Sequence, residues 1–294
     1  TPVASRWRLP TRSPQLSKPS WRAVGAKLSS VITISSIFIS YFCRKIKKKR
    51  VPLPLKIHHK NKKIKFMYKP TDKMSDLIAS HYKILFVMSR FGIPLGVGDK
   101  TIDEVCSEND VDVNTFLVIV EILLENTKCR DLDNLHISLP DIMKYLTNSH
   151  DYFLNFRLPN IRENLSRIVN THKSEVSNEL SKAIIYYFDE YVAEVKKHME
   201  YENKLVFPYI NTLIDKVKSD RYNIGVFVRQ HNHVEERMTE FKNIIIKYYP
   251  AKSTNDINSI MVDIFVCEED LAAHIYIEDN LLVPIVKHIE KQLS

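Results

Sequence analysis

His198-Met199-Glu200-Tyr201-Glu202-Asn203-Lys204-Leu205-Val206-Phe207-Pro208 decides the reading of this chain, because it returns as His274-Ile275-Tyr276-Ile277-Glu278-Asp279-Asn280-Leu281-Leu282-Val283-Pro284. In both copies a His is followed by Glu at i+4 and Pro at i+10, with a Leu three residues after the Glu. Residues four apart share one face of an α-helix, so each His and its Glu point at one spot. Apolar residues flank both pairs: Val195, Met199, Leu205 and Val206 around the first, Leu271, Ile275, Leu281 and Leu282 around the second. A His and a Glu on a core-facing stripe are costly unless they are paired or hold a cation. A single pair of this kind is ordinarily a surface ion pair. Two copies with matched prolines point instead to a shared cation site inside a helical bundle.

Working outward from the repeat, the periodicity predicts four long amphipathic helices over roughly 139–170, 175–216, 221–248 and 254–292. The connections are short, so the fold class is all-α, an up-down four-helix bundle with antiparallel neighbours. Pro159, Pro208 and Pro284 fall inside or near the ends of these helices and are expected to kink or end them. The two helices without the repeat should complete the site. The first offers His150, with Asp151 beside it; the third offers His231 and His233 in Gln230-His231-Asn232-His233-Val234-Glu235-Glu236. Imidazole and carboxylate donors suit iron or manganese, and zinc less well. His58, His59, His81, His136, His172 and His288 have no such partners and read as solvent or packing histidines.

The segment from 67 to 135 reads as a small helical domain. Ser75–Phe91 is predicted as one helix, and Phe91–Gly98 as a loop, since it holds three of the chain's five glycines. Thr101-Ile102-Asp103-Glu104 is a capping box that opens a short helix to about Glu108, and Asn114–Asn126 forms another. Two short helices around a turn can read DNA, but the second offers Thr115, Glu121 and Glu125 and no Arg or Lys before Lys128. The glycine-rich loop lacks the GK[ST] ending of a phosphate loop.

The formal charge of +8 conceals a division. Residues 1–66 hold 17 Lys and Arg and no Asp or Glu, which leaves 26 basic against 35 acidic residues in the remainder. The acidic body gives no reason to expect nucleic-acid binding. The first 66 residues read as a basic disordered extension, with the natural start expected near Met67. Two alternatives stay open: a membrane-surface anchor built on Val31–Phe42 and the basic run Arg44–Arg50, or a nucleic-acid-binding tail. The apolar run is about 12 residues against the roughly 20 of a spanning helix. Cys43, Cys106, Cys129 and Cys267 are scattered, which reads as reduced thiols in a cytoplasmic chain.

At the two repeat motifs and across about 75–294 the chain resembles the hemerythrin HHE family, and most nearly the di-iron iron–sulfur-cluster repair proteins. The resemblance implies two non-haem iron ions, oxo- or carboxylate-bridged, held by His150, His198, Glu202, His231, His274 and Glu278, with Glu202 and Glu278 bridging. It favours His231 over His233, because Glu236 and Met238 then fall in the family's register. The 67–135 segment resembles the N-terminal domain of the repair proteins. Where those carry adjacent cysteines, this chain has Leu95 and Gly96. The implied function is a response to oxidative or nitrosative stress, by iron delivery to damaged clusters or by reaction with NO or O2. The alternative is a non-catalytic module that binds or senses O2 or iron. Implied partners are O2 or NO and iron–sulfur proteins, with a homodimer compatible with the apolar middle helices; a membrane enters only through residues 1–66.

Overall fold

The computed structural model describes residues 67–125, 136–171, 177–216, 222–230, 235–249 and 255–293. The basic extension, with its apolar run, lies outside them, as do His231 and His233. The described residues are helical and contain no strand; Lys73 and Thr101 form an isolated β-bridge.

Helix α1 (Met74–Ser80) and helix α2 (Ile84–Phe91) replace the single helix expected over 75–91. The backbone leaves the helix at His81, whose φ is −142° and ψ 89°, and the His81 ring packs edge-on against Tyr68 at 5.8 Å. The apolar face survives the break, with Leu77, Ile84, Val87, Met88 and Phe91 all buried, so hydrophobic periodicity cannot register it. Helix α2 ends on Gly92 at φ 77°, a left-handed position open to a residue without Cβ. Helix α3 (Ile102–Glu108) opens with the capping box: Thr101 Oγ1 accepts from the Glu104 amide, and the Glu104 carboxylate accepts from the Thr101 amide. Helix α4 (Val113–Glu125) follows.

The bundle begins at α5 (Leu139–Asp151). Ser138 accepts from the Asp141 amide, and Pro140 sits in the first turn, where no intrahelical N–H is needed. A π-helical turn, Tyr152–Arg157, joins α5 to α6 (Leu158–Thr171). The second bundle helix is α7 (Asn178–Tyr201), a π turn at Glu202–Val206, and α8 (Phe207–Ile214). The third is described as α9 (Ile224–Gln230) and α10 (Glu235–Tyr248). The fourth is α11 (Asn255–Ile277), a π turn at Glu278–Leu282, and α12 (Val283–Gln292). Around the bundle, α6 packs on α7, α7 on α10, α10 on α11, and α11 on α6. Helix α2 lies along α5, and α4 touches α11.

The three prolines neither end the helices nor interrupt their handedness. Leu158, Phe207 and Val283, each just before a proline, keep right-handed helical backbone angles. Their amides bond to the carbonyls of Phe153, Glu202 and Glu278, five residues back instead of four. A proline has no N–H to give, and its ring clashes with the carbonyl four residues before it. One widened turn removes that clash and keeps the helix going.

Two apolar clusters fill the interior. One joins α1–α5 to the π-turn and α8–α9–α12 end of the bundle, from Met74 through Leu146 to Val206, Ile277 and Leu281. The other fills the far half, from Phe153 and Ile161 to Met199, Phe241, Leu271 and Ile275. Between Leu146 and Phe153, between Met199 and Val206, and between Leu271 and Leu281 lies a buried polar layer.

Candidate metal centre

That layer is built from the repeat. His150, Glu202, His274 and Glu278 each offer one donor atom, and these atoms lie within 4.8 Å of one another. All four residues are at most 1% exposed. His150 Nε2 is 3.2 Å from Glu202 Oε2 and 4.0 Å from Glu278 Oε1. His274 Nε2 is 3.2 Å from Glu278 Oε1. The two imidazoles face each other, Nε2 to Nε2, at 3.2 Å.

His198 approaches from the other side. Its Nε2 is 3.1 Å from Glu202 Oε1. The two oxygens of Glu202 therefore face different histidines, Oε2 towards His150 and Oε1 towards His198. Of the six residues expected from sequence, five are in or against this layer, and His231 lies outside the described residues.

The donor set suits a cation. Two fully buried carboxylates bring two negative charges into an interior where an uncompensated ion costs several kcal/mol. The His150 Nδ1–H donates to Asn203 Oδ1 at 2.9 Å, which in the neutral ring leaves the lone pair on Nε2. Two nitrogens at 3.2 Å repel unless a proton or a metal ion stands between them. Burial alone would lower the His150 pKa, but the hydrogen bond and charge of Glu202 outweigh it and hold the imidazole above its ordinary value. Burial holds His274 below its own. A divalent ion bound here would take the place of any proton shared between Glu202 and His150.

Residues 141–286 match the family model of the hemerythrin HHE cation binding domain. The chain carries a hemerythrin HHE domain. No curated protein gives a significant match to the chain. The match begins in the first turn of α5 and ends in α12, so it takes in every bundle helix and the whole polar layer. The hemerythrin domain and its buried His/Glu cluster fit a metal-binding module, for which iron is the usual metal of the family. No helix among the described residues is long and apolar enough to cross a membrane.

The π turns of the hemerythrin domain belong to the site. Two of them begin on Glu202 and Glu278 themselves, whose own carbonyls close the wide turns. The third starts two residues after His150. The matched prolines of the repeat are the visible trace of this geometry, although a proline inside a helix ordinarily kinks or ends it.

Other residues around the metal layer had weaker signals. Asn203 directly follows Glu202 in the motif, yet nothing in a period of four marks it as the acceptor that orients His150. Phe207 stacks on the His150 ring at 5.1 Å and 14°, and Phe153 meets His274 edge-on at 6.0 Å. No pattern in the sequence separates them from ordinary core aromatics. The remaining described histidines keep clear of the layer: His136 is exposed, and His288 bonds to Gln292.

Proposed function

We propose that the hemerythrin domain holds two iron ions through His150, His198, Glu202, His231, His274 and Glu278, with Glu202 and Glu278 bridging. The single observation that carries this is Glu202, fully buried, with its oxygens 3.2 Å and 3.1 Å from histidines on different helices. One carboxylate facing two separate imidazoles is the arrangement that serves two ions, because each oxygen can join a different ion to its own histidine. His150, His198, His231 and His274 would supply the imidazole donors, and Glu202 and Glu278 the carboxylates. Four His and two Glu leave positions open, and the bound pair would supply one-electron chemistry and room for O2 or NO there. The protein's own residues orient His150 through Asn203, cover it with Phe207, and keep bulk water out with the two apolar clusters.

The role that follows is a response to oxidative or nitrosative stress, by reaction with NO or O2 or by delivery of iron to damaged iron–sulfur clusters. A second reading, an O2- or iron-binding module without turnover, is favoured by one observation. Where the repair proteins carry paired cysteines, this chain presents an exposed Leu95 and a Gly96 at φ 94°, a surface turn with no thiol. Metal analysis of the purified protein tests the shared core of both. Two irons per chain are expected, falling by at least half in Glu202→Ala; a chain that takes up only zinc or nothing would overturn both. Restoration of a damaged cluster in a partner enzyme, against reversible O2 binding without consumption, separates the two.

A further inference from the structure

Helix α2 of the small helical segment contributes one charged side chain to the interior, Arg90, and it is almost completely buried. The Arg90 and Asp270 side chains are 3% and 7% exposed, with Nη2 donating to Asp270 Oδ2 at 2.6 Å. Arg90 Nη1 donates to the Tyr145 hydroxyl at 3.0 Å. Asn148 Nδ2 donates to the Arg90 carbonyl at 2.6 Å, so the backbone here is also fixed to the helix that carries His150. The guanidinium lies 5.4 Å from the ring centres of Tyr145 and Tyr152 and 5.2 Å from that of Phe153. Phe153 in turn is the ring packed edge-on against His274 at 6.0 Å. Asp270 stands one helical turn before His274 on α11.

As a device for docking α2 on the bundle, a buried ion pair is a poor choice. Apolar residues of similar volume commonly serve as well or better, because desolvation consumes most of the attraction. What an apolar contact cannot provide is a fixed dipole beside the polar layer. The cation and the anion are oriented by separate elements, α2 and α11, and Phe153 lies against both the guanidinium and the His274 ring.

Resting on the di-iron reading above, we propose that Arg90 and Asp270 are positioning residues that set the reduction potential of the His274 side of the centre: each cancels the other's charge, and loss of either moves the potential in its own direction. A unit charge on the order of 10 Å from an ion, at an effective dielectric constant of about 20, shifts a one-electron equilibrium roughly tenfold. Asp270→Asn leaves an unpaired cation, because arginine does not give up its proton. It therefore favours the reduced centre by about tenfold. Arg90→Met leaves an unpaired carboxylate and favours the oxidised centre. The double variant Arg90→Met/Asp270→Asn carries neither charge and returns to within about twofold of the unaltered protein.

The experiment is a spectroscopically monitored redox titration of the iron-loaded full chain in the four forms, with iron content measured on each. Opposite shifts in the single variants and recovery in the double support the proposal. A merely structural pair would move both single variants the same way, or leave all four potentials together, and either result overturns it. Should one single variant fail to fold, the other compared with the double variant isolates the same charge, and equal potentials there overturn the proposal equally. If the unaltered protein takes up no iron, the di-iron reading itself has failed; if it holds two irons and the potentials do not respond, only this inference has.

Discussion

Replacing Asn203 by Leu tests whether the orientation of His150 matters to the metal site without touching any donor atom. In the structure the His150 Nδ1–H donates to Asn203 Oδ1 at 2.9 Å, so the lone pair of the neutral ring sits on Nε2 and faces the layer. Leu has nearly the same branched shape and no acceptor. Loss of such an outer partner of a ligating histidine typically costs 10–100-fold in metal affinity. Asn203 is exposed, so water can replace part of what is lost, which places the expected effect at the low end. Iron(II) affinity should fall about tenfold, equivalent to ~1.4 kcal/mol. Asn203→Asp should do the reverse, since a charged acceptor makes the stronger hydrogen bond and the ring the better donor. The assay is anaerobic competition against an iron(II) chelator, with urea melts of the metal-free proteins to confirm that each variant is folded. Equal affinities for the Leu and Asp variants, in a background where His274→Ala loses iron, would refute the reasoning.

Iron loading should release protons. His150 is held above its ordinary value by Glu202 despite its burial, so the metal-free protein keeps a proton there that the ion must displace; release measured in weak buffer should shrink in His150→Gln. The same raised value gives the metal-free fold a stabilising contribution that is complete below about pH 6.5 and disappears as pH climbs through the higher folded-state value. Urea midpoints of the unaltered protein should therefore fall relative to His150→Gln as pH rises past neutrality, and a gap that widens instead would contradict the pairing with Glu202. Burial pushes the thiols of Cys106 and Cys267 up to about 12, so at pH 8 neither should be alkylated until the chain is denatured, as peptide mass mapping will show. Ser138→Ala removes the cap of the helix that bears His150 and should lower the unfolding free energy by about 1 kcal/mol while leaving iron content unchanged.

Much of the bundle could be read from particular residues. The His-x-x-x-Glu pairs and their apolar neighbours place a polar spot on the inner face of two helices, and the structure brings Glu202 and Glu278 into one buried layer. Helix ends announced by local chemistry were legible, as at Thr101 with Glu104, because a cap is an interaction between near neighbours. The division at His81 was not, since a break that preserves the buried face leaves the apolar spacing intact. Nor was the Arg90–Asp270 pair, whose members are separated by 180 positions and carry no local pattern. The third helix remains the least constrained: the choice between His231 and His233 falls on residues outside the described structure.

The wide turns at Tyr152–Arg157, Glu202–Val206 and Glu278–Leu282 have a consequence for how this chain tolerates change. Each holds one residue more than an α-helical turn, so everything beyond it is rotated by about 100° relative to an uninterrupted helix. Removing a single residue from such a turn would relax it to ordinary helix, which local backbone energetics prefer, and would leave Ile210 and Leu213, or Val283 and Val286, in the core they now fill, because the lost residue cancels the extra rotation. A one-residue deletion inside a wide turn should therefore spare the core and cost the site, whereas the same deletion elsewhere in these helices would swing one end out of the core; a redesign that perfected the helical period would erase the socket it was meant to improve.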